Sequence, residues 1–358
     1  SMITLGSVLP SLTTKLGLDN LQATALVTFL PLGLLGGSLL FGPIVDRFGH
    51  KALLLLSCLV VLLGLEGIAF FTSIPLLQVS IIGIGLGGGI LNETNALVAD
   101  ISDEAEKGSR LSLLGAFYGI GALGIPVLLS FLSEYYSFEI ILQGTGMVML
   151  IGILFCLGIR FPAPKQPQGF PIKEGLGLLK ESSLLLLSFI LFFQSGIEGV
   201  CNNWTTLYLG QTTGIPENRA LIALTCMVAG LTVARLLLVV LFKKIKQETV
   251  LRTSLITAVA GFALLTFAPG FARAAIGMAL IGAGLASTFP VILSIIGSRY
   301  ASLSGTAFSV ALVIALIGQT LLNSLTGIIS QGYSIVVYPY MMIVSLLIML
   351  LLFKRSLK

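Results

Sequence analysis

Apolar runs of spanning length follow one another through almost the whole chain, with only short polar loops between them. A helix that crosses a bilayer needs roughly 20 apolar residues, because the hydrocarbon core is about 30 Å thick. Runs of that kind fall near residues 3–18, 21–44, 52–72, 75–99, 110–133, 138–160, 183–210, 218–242, 250–269, 271–298, 303–331 and 334–353. The chain carries 56% hydrophobic and 10% charged residues, with a mean hydropathy of +1.05. A soluble domain carries roughly 25% charged residues. No soluble fold hides this much apolar surface, so the expected solvent is lipid, and the fold class is an all-α membrane protein with twelve transmembrane helices.

The net charge of +5 does not point to nucleic acid, because the basic residues sit in loops between apolar runs. Sixteen of the 20 Lys and Arg fall on the side that holds Arg47 and Lys51. Lys15, Arg219 and Arg273 fall on the other, and Arg235 lies within a span. By the positive-inside rule the crowded side is cytoplasmic. This places both termini in the cytoplasm and the chain in the inner (plasma) membrane. Cys58, Cys156, Cys201 and Cys226 lie inside apolar runs without a CxxC pair, and read as small buried hydrophobes. The first apolar run lacks a basic n-region and reads as a span, not a secretory signal, although it is short.

The longest polar stretch contains Pro162, Pro164, Pro167 and Pro171 and reads as a linker. It divides the chain into an N-terminal six-helix bundle (1–160), a cytoplasmic linker (161–182) and a C-terminal six-helix bundle (183–358). The halves echo one another. Gly83-Ile84-Gly85-Leu86 and Gly282-Ala283-Gly284-Leu285 stand 199 positions apart, as do the basic loops at Arg47 and Lys246. Parallel repeats of this kind characterise transporters whose substrate site lies near the midplane between the two halves.

Ionisable groups in a span cost at least ~2.5 kcal/mol and so tend to face a cavity. Asn92, Glu93 and Asn95 lie deep in the fourth span. In the seventh, Gln194, Glu198 and Asn202 are spaced i, i+4, i+8 on one helical face, with Asn203 and Trp204 following. Gln319 and Asn323 form an i, i+4 pair in the eleventh, and Tyr118 and Gln22 are further candidates. Carboxylates and amides can hold neighbouring hydroxyls, and an aromatic face can cover the C–H side of a sugar ring. The same amides could equally bond one helix to another, and Trp204 could equally be an interfacial anchor. Glu66 reads as a residue that snorkels to the interface or reaches an outer vestibule. Arg235 is the one core cation, and its position suits a structural pair with a loop carboxylate.

Between the second and third spans stands Gly42-Pro43-Ile44-Val45-Asp46-Arg47-Phe48-Gly49-His50-Lys51. Gly42 permits close helix approach, Asp46 can accept from cations or a helix N-terminus, and Gly49 permits a tight turn. The segment resembles the signature of the major facilitator superfamily, with His50 in place of the usual Arg. The resemblance implies the superfamily's fold, twelve helices in two pseudo-symmetric six-helix halves. It also implies a conformational latch at Gly42, Asp46, Arg47, Gly49 and Lys51. Gly115, Gly119, Gly121 and Gly124 before Pro126 loosely resemble an antiporter motif, and read as close helix packing.

The stretches Gly36–Pro43, Leu91–Ala96 and Gly196-Ile197-Glu198 with Trp204 and Tyr208 resemble the fucose and glucose permease branch. That branch implies a sugar-like solute moved by rocker-switch alternating access with H+ or Na+, and ion coupling at Glu93 and Glu198. The fucose permeases pair their fourth-span acid with one in the first span, which this chain lacks. Either Glu198 substitutes for it or transport is uncoupled. The alternative reading is a proton-coupled exporter of drugs or other hydrophobic compounds. An enzyme is not expected, since the only histidine, His50, lies in a loop and neither HExxH nor a P-loop occurs. No charged ring or repeated filter suggests a channel. The expected partners are a small sugar-like molecule and the lipid bilayer, with no nucleic acid, no cofactor and no metal, acting as a monomer.

Overall fold

The computed structural model describes residues 12–13, 15–17, 20–165, 177–267 and 270–356. Most of the expected first span, the side chains of Gln22 and Pro126, and Pro167 and Pro171 lie outside the described residues. The helices are α1 (Asn20–Phe48), α2 (His50–Phe70), α3 (Ile74–Asn92), α4 (Thr94–Asp100), α5 (Lys107–Leu132) and α6 (Phe138–Gly158). They continue as α7 (Ser182–Thr213), α8 (Glu217–Leu241), α9 (Gln247–Phe267), α10 (Phe271–Leu285), α11 (Thr288–Arg299), α12 (Ser304–Gly332) and α13 (Tyr338–Ser356). Among the described residues, ten helical stretches are long and apolar enough to cross a membrane. In addition, α5 occupies the place of the expected fifth span.

Helix faces turned away from the protein are apolar. On α6, Met147, Ile151, Leu154 and Phe155 stand on one side, all more than half exposed. Such a stripe is stable only where the surrounding solvent is itself apolar.

Contacts divide the chain into two compact units. The first comprises residues 1–97, 124–175 and 302–309; the second comprises 98–123, 176–301 and 310–358. In the first unit, α3 packs against α1 and α2. Small residues make this approach close: a methyl at Gly85 or Gly89 would overlap the Leu30 or Leu34 carbonyl of α1. Leu65, Ile81, Ile84 and Leu142 fill the core around it. In the second unit, α10 packs against α8 and α9 in the same manner. Gly282 lies against the Met227 carbonyl of α8, and Gly284 against Ser254 and Ala258 of α9. Without hydrophobic drive between helices in lipid, backbone approach through small residues supplies the packing energy. The close approaches correspond at Gly85 and Gly282, against α1 and α8, and at Gly87 and Gly284, against α2 and α9, so the Gly-x-Gly echo lies two positions out of register with the packing it suggested.

Two spans expected to be continuous are broken. The fourth divides at Glu93, between α3 and α4, and the tenth divides at Ala286–Ser287, between α10 and α11. At the first break, the Thr94 hydroxyl donates to the Leu91 carbonyl at 2.5 Å and the Asn95 amide to the Asn92 carbonyl at 2.7 Å. Short polar side chains compete in this way with the helical ladder. They also satisfy the carbonyls that the break sets free.

Candidate functional site

The carboxylate of Glu93 occupies the break in the fourth span of the first unit and is fully buried. Neither of its oxygens has a well-formed hydrogen bond. The hydroxyl of Ser38 on α1 faces it and is likewise without a hydrogen-bond partner. The close approach at Gly85 and Gly89 sets α3 against α1, and so brings these two groups together. Asn92 is exposed and Asn95 half-buried beside it. An isolated buried carboxylate is among the most costly groups in an apolar medium.

Also in the first unit, Asp46 near the end of α1 meets the N-terminus of α12. Its oxygens accept from the backbone N–H of Gly305 at 3.1 Å, the backbone N–H of Thr306 at 2.9 Å and the Thr306 hydroxyl at 2.6 Å. A carboxylate there satisfies orphan donors and faces the positive end of the helix dipole. The approach needs two glycines. A methyl at Gly42 would stand 2.7 Å from the Thr306 Cα, and one at Gly305 would stand 2.3 Å from Val45 Cγ1. Gly49 then reverses the chain at φ +79°, which glycine adopts without strain. Lys51 follows and donates to the Leu157 and Ile159 carbonyls at the C-terminal end of α6, at 2.9 and 3.1 Å. Arg47 lies over the Phe48 ring.

In the second unit the polar face of α7 divides its attention. Gln194 is fully buried and donates to the Leu285 carbonyl at 3.1 Å, which ties α7 to the break in the tenth span. Its Oε1 is unpartnered, as are the hydroxyls of Ser287 and Thr288 at that break. Glu198, half-buried, interacts electrostatically with Arg235 of α8, Tyr118 of α5 and Cys201 of its own helix. Asn202 is exposed. Asn203 donates to Asn323 Oδ1 at 2.8 Å, and Asn323 donates to the Gln319 carbonyl at 2.7 Å. Gly199 leaves room for Gln319 and Asn323 beside α7. Trp204 is half-buried and lies beside Gly327 of α12.

The structure thus brings Asn203, Asn323 and Gln319 together, and Glu198 with Tyr118. It commits the amide nitrogen of Gln194 to another helix. Arg235 differs from its expected pairing: in place of a loop carboxylate it has Glu198 and Tyr118, and its guanidinium donates to the Gly115 carbonyl at 3.1 Å. The glycines of α5 prove to be contact points. Gly115 lies against Arg235 and Gly119 against Thr232, whereas Gly121 and Gly124 face open space. Sequence reasoning did not single out Ser38, Ser287, Thr288 or Thr306. The first three carry no pattern beyond a hydroxyl in a span, and Thr306 is placed only by Asp46.

The Major Facilitator Superfamily model matches residues 1–320. The glucose/mannose transporter GlcP of Bacillus subtilis is 24% identical over 92% of this chain and 86% of its own length. The inner membrane transport protein YdiN of Escherichia coli is 27% identical over 46% of this chain, a match that spans 39% of YdiN. Among solved structures, the E. coli fucose:proton symporter FucP superposes with a TM-score of 0.84 at 18% identity, covering 99% of this chain and 95% of that one. The proton:xylose symporter XylE superposes with a TM-score of 0.80 at 14% identity, covering 99% and 90%. Repeated packing in both units, broken spans that carry buried polar groups and a family match over most of the sequence converge: the chain is a membrane transporter that belongs to the Major Facilitator Superfamily.

Proposed function

We propose that this transporter carries a small polyhydroxylated solute of the sugar class by alternating access, coupled to a proton through Glu93. The observation that carries the reading is the fully buried Glu93 carboxyl group, which lacks a hydrogen-bond partner at a helix break. A carboxyl in that setting can take up a proton where water reaches it and keep it where water does not. The solute is held by the amide-rich faces of α7 and α12, where Asn202, Asn203, Asn323 and Gln319 offer both donors and acceptors. Relatives named as sugar transporters and sugar:proton symporters support this class. The Asp46 contact with the N-terminus of α12 acts as the latch of one conformational state.

The test is uptake of labelled hexoses into proteoliposomes under imposed proton and sodium gradients. Concentrative uptake driven by the proton gradient is expected. E93Q should abolish accumulation and leave solute exchange intact. Accumulation driven by sodium alone, or by protons in E93Q as in the parent, would remove Glu93 from the coupling step. Absence of flux of any sugar, neutral or acidic, in folded protein would remove the sugar reading.

A further inference from the structure

Arg235 is a charged side chain in a membrane span that is only 7% exposed, and it is poorly compensated. A guanidinium has five N–H donors. Here one hydrogen bond is made, to the Gly115 carbonyl, and Nε is buried without a partner. Glu198 is the anion that faces it, yet the two form no ion pair, and Glu198 makes no hydrogen bond to any described residue. Tyr118 of α5 interacts electrostatically with both and is 62% exposed.

Arg235 is not needed to strap α5 to α8. Ser112 donates to the Arg235 backbone carbonyl at 2.8 Å, Ser109 donates to the Val239 carbonyl at 2.9 Å, and Gly119 closes on Thr232. A buried cation with spare donors, and an acid that acts on it without forming an ion pair, suits a planar anionic ligand. A carboxylate matches the guanidinium fork with two parallel hydrogen bonds, which a hydroxyl cannot do.

We propose that Arg235 is the carboxylate-binding residue of the solute site, and that the solute is an acidic sugar, a hexuronate or aldonate, whose binding adds one proton on Glu198 to the proton coupled through Glu93. The inference rests on the sugar reading above and sharpens its substrate class. Charge balance drives it. Arg235 and Glu198 contribute one basic and one acidic group to the cluster, which balance. A ligand carboxylate adds one negative charge, and a proton from bulk water, bound to a Glu198 oxygen, restores neutrality. No covalent bond to the ligand forms or breaks. The titratable or charged groups about Glu198 are Tyr118 from α5, Arg235 from α8 and Cys201 from α7, with Tyr338 of α13 reached through its hydrogen bond to Cys201. Arg235 is the only cation among them.

The experiment compares labelled glucuronate with labelled glucose in proteoliposomes, and each as a stabiliser of the detergent-purified protein against heat. Glucuronate uptake driven by external acid, with a rise in melting temperature on glucuronate addition, is expected. R235K keeps the charge but loses the fork, and should weaken glucuronate binding about 30-fold or more. Its unliganded melting temperature reports that it still folds. G115A places a methyl 3.0 Å from Arg235 Cδ and Nε, and should give a smaller loss of the same kind. E198Q should still bind and exchange glucuronate while losing the pH dependence of binding. Glucose carried with glucuronate neither carried nor competing overturns this inference and leaves the sugar reading standing. Glucuronate bound equally by the parent and R235K also overturns it. Absence of binding by both sugars, in folded protein, overturns both readings.

Discussion

Glu93 in the first unit and Glu198 in the second are both carboxylates set within spans, and their surroundings are opposite. Glu93 is sealed at a helix break with a serine hydroxyl facing it and, among the described residues, no cation acting on it. Glu198 is half-buried, within electrostatic reach of Arg235 and Tyr118. A charge in the first setting has nothing to balance it; a charge in the second has a fixed counter-charge. Two acids set within spans therefore need not share a task. The first is suited to carry the coupling proton, and the second to take one up in answer to the charge of what binds beside it.

The sharpest way to break this contrast is E93Q. If Glu93 is the coupling group, gradient-driven accumulation is lost entirely and counterflow survives; equal loss of both would make the residue structural. The second is D46N, which removes the charge from an acceptor of three hydrogen bonds at the α12 N-terminus. Cycling should slow about tenfold, the equivalent of ~1.4 kcal/mol, with solute affinity retained in equilibrium binding. Third, G305A sets a methyl against Val45 and Asp46 and should lower stability by about 1–3 kcal/mol, visible as a lower melting temperature in detergent.

The smallest effect concerns the loop before α5. Glu104 accepts from Lys107 Nζ at 2.6 Å and from the Ser298 hydroxyl, and these bonds hold its carboxyl below the usual carboxylate range. A depressed acid stabilises the fold above its ordinary titration range, and that contribution is lost as pH falls through the lowered value. Because the Glu104 side chain is largely exposed, the change should be slight. E104Q should flatten the acid side of a plot of melting temperature against pH, and an unchanged slope would dismiss the contact.

Much of this was legible in the sequence because the bilayer imposes so strict a rule. Apolar length marked the spans, and the polar residues within them could be picked out as exceptions. Asp46 was recognisable, and its capacity to accept from a helix N-terminus was foreseeable. That the helix would begin at Ser304, some 260 positions away, was not, since nothing local to either segment names the other. The expected pairing of Arg235 failed for a related reason. Helical periodicity tells which face a residue occupies but not which helix lies opposite. Gln194 shares its face with Glu198 by spacing, yet reaches the Leu285 carbonyl because α10 ends there. The breaks at Glu93 and Ser287 were hidden because hydropathy averages over them.

Several contacts that close these units run from a side chain to main chain. Asp46 accepts from the N–H groups of Gly305 and Thr306, Ser109 and Ser112 reach the carbonyls of Val239 and Arg235, and Lys51 reaches those of Leu157 and Ile159. Every amino acid offers a carbonyl, and all but proline an N–H. Over evolutionary time a receiving position with no second task is therefore free to drift, while the reaching position is held. Such pairs leave no trace as correlated substitutions. Contacts inferred from covariation across relatives would miss such bonds, and a map of mutational tolerance would reveal them as one-sided: intolerance at Ser109 and Lys51 facing permissive partners at Val239, Leu157 and Ile159.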